Sequence, residues 1–158
     1  MPANRDMTAL MEEKLGYYLE DLTPGMAATY SKTVTEADVV LFAGVSGDSN
    51  PVHMDHEFAK DTVFKGRIAH GMLTASFIST VLGTRLPGPG CIYVSQNLKF
   101  RAPVRIGDTV RTRVVVTSVD MERGRVALET TCSVGDTVVI AGDALLMVPR
   151  RPVVQAAE

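Results

Sequence analysis

"HGMLTASFISTVLGTRLPGPG", residues 70–90, is the stretch on which the fold turns. Met72, Leu73, Ala75, Phe77, Ile78, Val81 and Leu82 recur at helical spacing, yet they cover almost the whole circumference instead of one stripe. Such a helix is expected to be buried on most sides. It should stop at Gly83 or soon after, before Pro87. At about fourteen residues it falls short of the ~20 needed to cross a bilayer. A hydrophobic helix in that position needs something to wrap it.

The second half of the chain supplies the wrapping. "CIYVSQNLKFRAPV" (91–104), "DTVRTRVVVTSVDM" (108–121), "GRVALETTCSV" (124–134) and "DTVVIAGDALLMVP" (136–149) are rich in Val, Ile, Thr and Tyr and read as strands. The connections "ERG" and "GD" are short enough to force hairpins, so the sheet is expected to be mainly antiparallel. Ahead of the helix, "GMAATYSKTV" (25–34) reads as an early strand after a Thr-Pro-Gly turn. "TEADVVLFAGVSG" (35–47) reads as a helix with Thr35 as N-cap, Val39, Val40 and Ala43 at helical spacing, and an end near Gly44 or Gly47. "DHEFAKDTVF" (55–64) allows one more helical turn. The layout is α+β, with a sheet curled over one central helix.

The chain has 158 residues, 46% hydrophobic and 22% charged, which suits one globular domain with a sizeable core. A net charge of −2, from 16 basic and 18 acidic residues, gives no electrostatic case for nucleic acid. Cys91 and Cys132 have no CxxC partner and read as reduced, strand-borne residues, not as a metal or disulfide framework. The charged N-terminal stretch lacks the apolar core of a signal peptide and no membrane association is indicated, so the expected location is cytoplasmic. Residues 1–18 are an N-terminal extension, 19–150 the folded domain, and 151–158 a loose tail.

"SGDSNPVH" (46–53) places Asp48 and His53 five residues apart around an Asn-Pro pair. On a helix or a strand the two side chains would diverge; only a bent segment brings them together. Pro51 fixes its own φ and pushes Asn50 towards extended geometry, while Gly47 and Asn50 tolerate unusual angles. The segment is either a structural corner or a device that converges an acid and a base on one water. The residue types alone leave both open. Gly71, at the start of the apolar helix, offers backbone N–H groups and the positive end of the helix dipole, a ready oxyanion site; its bland role is tight packing. His70 reads as helping to cap or position that turn. Ser79 is expected to face inwards on the same helix, touching a ligand or bonding back to a carbonyl one turn earlier. No Gly-x-Ser-x-Gly elbow, P-loop or His-x-x-x-His pair is present.

"FAGVSGDSNPVHMDHEFA" (42–59) closely resembles the hydratase 2 motif of R-specific enoyl-CoA hydratases in the MaoC-like dehydratase family. An aromatic, Ser-Gly-Asp, Asn-Pro, an aliphatic, His and a small residue six positions later all stand in order. "IAHGMLTASFIS", "LPGPGCIYVSQNLKFRAPVRIGDTV" and "GDALLMVP" extend the likeness over roughly residues 20–150. The resemblance implies a hot-dog fold and reversible hydration of trans-2-enoyl-CoA to (R)-3-hydroxyacyl-CoA. It makes Asp48 and His53 the catalytic pair and Gly71 the donor to the thioester oxygen. Asn50, Ser79 and Leu82 become substrate-site residues, Asn50 by holding the turn and Leu82 by facing the acyl chain. It implies no metal and no cofactor, coenzyme A being part of the substrate, and a homodimer or higher homo-oligomer. Arg101 and Arg105 stand where CoA phosphates can be met, with solvated surface arginines as the plainer reading. A MaoC-like dehydratase acting on acyl carrier protein, a hot-dog acyl-CoA thioesterase and a non-catalytic acyl-CoA binding module are the alternatives; the intact Asp48/His53 pair favours the hydratase. Supply of polyhydroxyalkanoate monomers and fatty-acid β-oxidation are both compatible pathways.

Overall fold

A computed structural model describes residues 15–152. Its sheet has five strands: β1 (Ala27–Thr33), β2 (Ile92–Phe100), β3 (Thr109–Asp120), β4 (Arg125–Val134) and β5 (Thr137–Met147). They lie in the order β1-β3-β4-β5-β2, and every neighbouring pair is antiparallel. The tight turns at 121–124 and 135–136 make β3, β4 and β5 a meander, while β2 pairs with β5 at one edge and β1 with β3 at the other. Four short helices precede or interrupt the strands: α1 (Glu36–Ser46), α2 (Pro51–Met54), α3 (His56–Lys60) and α4 (Gly71–Thr84).

Alternation along the strands decides which face the sheet buries. Val110, Thr112, Val114 and Val116 of β3 point inwards with Val126, Leu128, Thr130 and Cys132 of β4, and Arg111 and Arg113 point out. Register shifts leave Val94 of β2, Thr117 of β3 and Val139 of β5 without a partner in the shifted pairing and mark bulges, which bend strands and let a sheet curl. Helix α4 packs against β1, β3 and β4, its Leu73, Ala75, Phe77, Ile78, Val81 and Leu82 in the common core. This is the hot-dog arrangement that the sequence led us to expect.

The wrapping is incomplete, and that corrects one expectation. Met72, Ser76, Ser79 and Gly83, which fall in one row at about 100° per residue, all face outwards, Met72 with 57% of its surface exposed. Ser79 therefore does not point inwards, because its stripe is the one that the sheet leaves open. Leu82, by contrast, is fully buried. Val40 of α1 is likewise half exposed, whereas Val39 and Ala43 are buried.

The ends of the domain are tighter than expected. Gly16 and Tyr17 donate backbone bonds to the carbonyls of Pro89 and Pro87, both at 2.8 Å. The start of the supposed tail is also held: Arg151 pairs with Asp21 at 2.5 Å, its N–H donates to Glu20, and Arg150 donates to the Met121 and Glu122 carbonyls. Residues 1–14 of the N-terminal extension and 153–158 of the tail lie outside the described residues. Cys91 and Cys132 are both unpaired, and no helix among the described residues is long and apolar enough to cross a membrane.

Two glycines make opposite predictions. A Cβ at Gly142 on β5 would sit 1.8 Å from the Asn97 carbonyl oxygen of β2, so Gly142→Ala forces the strands apart. Gly44, inside α1, has nothing within 4 Å of such a Cβ. In urea melts Gly142→Ala should lose about 3 kcal/mol, the upper end for overpacking, while Gly44→Ala should gain up to about 1 kcal/mol from helix propensity.

Candidate active site

The segment between β1 and α4 is built from local capping. Thr35 accepts from the Asp38 N–H, and the Asp38 carboxylate accepts from the Thr35 N–H, a reciprocal capping box that starts α1. Gly47 ends that helix in the left-handed region at φ 78°, which glycine takes without strain, and turns the chain into Asp48. The Asp48 N–H donates to Ser46 Oγ at 3.1 Å and its carboxylate accepts from the Asn50 N–H at 3.2 Å. Asn50 Oδ1 accepts from the Val52 N–H, capping α2 with Pro51 as its first residue. Asn50 thus holds the turn, as the motif implies, and is not a wall of the cleft described below. Asp55 caps α3 in the same way.

Longer ties fix this overhang to the body. Arg67 donates to the His53 carbonyl at 2.5 Å and grips Glu36, at the start of α1, with both terminal nitrogens at 2.9 and 3.2 Å. A bidentate guanidinium–carboxylate pair fixes orientation as well as distance. His53 is buried, and its Nδ1–H donates to the Ile68 carbonyl at 2.9 Å. A carbonyl can only accept, so the Nε2 of the neutral ring keeps its lone pair. Burial pushes the His53 pKa below the ordinary 6.5, and the charges of His70 and Arg67 act in the same direction. The Ile68 bond and the Asp48 carboxylate oppose the shift without reversing it.

One side-chain nitrogen or oxygen from each of Asp48, His53 and His70 lies within 4.8 Å of the others. A water accepted at about 2.8 Å by two such atoms spans up to about 5.6 Å, so the Asp48 and His53 side chains are close enough to hold one water between them. The same three residues are also of the types that ligate metals, and the His53 and His70 rings lie 4.0 Å apart between centroids with an interplanar angle of 33°.

Helix α4 differs from the other three helices in having no side chain at its cap. His70 occupies the N-cap position without capping, so the N–H groups of the first turn are left open. Gly71, the first residue of that turn, lines a cleft of about 290 Å³ together with His53, Thr74, Phe100 and Ile140. A Cβ at position 71 would come within 2.8 and 3.0 Å of Phe100 ring carbons, so glycine is what lets that ring close over the helix start. Arg101 is exposed and also lines the cleft, placing a cation at its mouth. Arg105 is employed differently: its guanidinium donates to the Phe64 carbonyl at 2.5 Å and so holds another wall residue.

An acid–base pair, an open helix end and an apolar cleft thus adjoin one another. The MaoC like domain model matches residues 22–139. The chain belongs to the MaoC-like family. Over 135 residues it is 58% identical to an (R)-specific enoyl-CoA hydratase from Rhodospirillum rubrum, covering 85% of this chain and 94% of that one. It is 54% identical to a 3-hydroxybutyryl-CoA dehydratase from Methylorubrum extorquens, covering 85% of each. Among solved structures it superposes on R-hydratase PhaJ1 from Pseudomonas aeruginosa with a TM-score of 0.81 at 40% identity, over 90% of this chain and 93% of that one.

Within this MaoC-like chain the structure gathers Asp48, His53 and Gly71 at one end of α4. Ser79 lies two turns along on the open stripe, and Leu82 in the core; neither is a wall of the cleft. Sequence reasoning missed Thr74, Arg67 and Phe100. Thr74 carried a signal, being a polar residue three positions after Gly71 in an apolar helix; it is 1% exposed and its hydroxyl has no partner among the described residues. Arg67 and Phe100 carried none, because their partners lie well beyond the reach of local patterns, at His53 and Glu36 for Arg67 and at Gly71 for Phe100.

The sign of the His53 shift gives a testable pH dependence. A base acts in its neutral form, which is populated above its pKa, and a lowered pKa extends that form into more acid solution. The acid limb of kcat/KM should therefore fall below pH 6.5, with a plateau at neutrality, and a limb above 6.5 would contradict the burial described.

Proposed function

We propose that the protein catalyses reversible hydration of trans-2-enoyl-CoA to (R)-3-hydroxyacyl-CoA. The observation that carries this reading is that His53 and Gly71, at the uncapped N-terminus of α4, line one apolar cleft while an Asp48 carboxylate oxygen lies within 4.8 Å of a His53 ring nitrogen. The names of the relatives agree with it and supply the hand of the product.

The geometry supports the following steps. The enoyl chain lies along the apolar walls with its thioester oxygen at the Gly71 N–H. Asp48 and His53 hold the water, and the free Nε2 of His53 takes its proton as the oxygen bonds to the β-carbon. Electron density moves through the conjugated system onto the thioester oxygen, where the amide and the helix end meet the growing charge. The proton then returns through the pair to the α-carbon, so the elements of water are added and nothing is left over. Adding water in this way requires neither a metal nor a redox cofactor. Coenzyme A enters as part of the substrate, with Arg101 placed to meet its phosphates.

A homodimer accords with the surface. β2 is an edge strand exposed along both faces, with Ile92, Tyr93, Val94 and Phe100 all at least 40% exposed. A second copy adding its own β2 there would remove an open edge. The two unpaired cysteines suit a reducing cytoplasm.

Loss of enoyl-thioester absorbance with crotonyl-CoA and octenoyl-CoA tests the reaction. Wild type should form the R product, and Asp48→Asn and His53→Ala should each lose about 10²–10⁴-fold in kcat while folding normally. Release of free CoA without hydration would move the protein to the thioesterases, and binding without turnover would make it a sensor. Arg101→Gln should raise KM for enoyl-CoA and leave KM for the matching enoyl-pantetheine unchanged; equal effects on both would remove Arg101 from phosphate recognition.

A further inference from the structure

His70 is 1% exposed, yet the steps above give it nothing to do. Its position would normally let a side chain cap α4, and it does not cap. The ring turns towards the Asp48 segment, where its Nε2 lies 2.9 Å from the Asp48 carbonyl oxygen. A carbonyl only accepts, so Nε2 carries the proton and donates it. The Nδ1 of the same ring is buried and has no partner among the described residues. One face of the ring stacks on His53 at 4.0 Å, and Phe42 of α1 packs against it at 4.9 Å.

The other bonds described above for Asp48 reach no further than two residues along the chain, to Ser46 and Asn50. They shape the turn but do not say where it stands relative to α4. The His70 bond spans 22 residues and runs from the carbonyl of the acid to the residue next to Gly71. We propose that His70 is a positioning residue: through its Nε2–H alone it sets Asp48 at a fixed place relative to the oxyanion end of α4, and through its ring face it holds the plane of His53. A misplacement of about 1 Å at reacting groups costs up to about 10²-fold in rate, so the effect belongs in kcat.

Gln and Asn separate the two nitrogens. The Gln amide nitrogen reaches about as far as Nε2 and can donate to the Asp48 carbonyl, whereas the Asn amide nitrogen stands near Nδ1 and cannot. With crotonyl-CoA, His70→Asn should lose about 10²-fold in kcat with KM within threefold of wild type. His70→Gln should recover to within about fivefold. A residue that only fills space would lower the melting temperature in both variants and leave their kcat values alike, which would overturn the proposal. The inference rests on the hydratase reading, so one readout avoids turnover: a long-range 15N–1H correlation of the resting protein should find His70 protonated at Nε2 and bare at Nδ1. The opposite tautomer would refute the tie even in an active enzyme. Failure of the wild type to hydrate any enoyl-CoA would sink the hydratase reading instead, with the tautomer still deciding whether the tie exists.

Discussion

A fourteen-residue helix with buried side chains on most of its circumference cannot stand in water, and α4 governs the molecule for that reason. Each large aliphatic side chain it buries is worth about 1.5–3 kcal/mol, and only a curved surface can cover so wide a face. Five antiparallel strands with bulges provide one. The same helix cannot be covered at its first turn, because its N–H groups have no acceptors within the helix and no side chain caps them. Where the covering stops, a cleft begins. The core requirement and the oxyanion site are two ends of one element.

The acid and the base stand on the segment that crosses this open end. Their placement comes from ordinary devices: a capping box, a left-handed glycine, an Asn-Pro helix start and a bidentate Arg67–Glu36 pair. Each satisfies backbone or side-chain polar groups that would otherwise be stranded, at about 1 kcal/mol apiece. Together they convert a polar loop into a rigid bracket. His53 shows what the bracket achieves, since the bond that orients its ring also decides which nitrogen is bare, and its burial keeps the ring uncharged at neutral pH.

Features that depend on neighbours within a few residues were legible in the sequence. The Thr35 cap, the Gly47 stop, the hairpins and the α4 boundaries all follow from local chemistry, and the long motif around Asp48 and His53 placed the chemical groups. Features that depend on tertiary closure were not. The inward reading of Ser79 failed because periodicity shows that α4 is apolar nearly all round without showing which stripe the strands leave bare. Arg101 and Arg105 look equivalent on paper, and only the Phe64 carbonyl separates them. The tail at Arg151 looked loose because its acceptors, Glu20 and Asp21, lie at the far end of the sequence from it.

The reacting groups stand on residues 48–71, braced by Arg67 and the capping bonds, whereas part of the opposite wall comes from the sheet side through Phe100 and Ile140. Chemistry and fit are therefore carried by different stretches of chain. Substitution on the strands can reshape the cavity for another acyl group while the apparatus for adding water stays as it is. A scaffold partitioned in this way lets one reaction diversify over a range of substrates by small steps, none of which has to pass through an inactive ancestor.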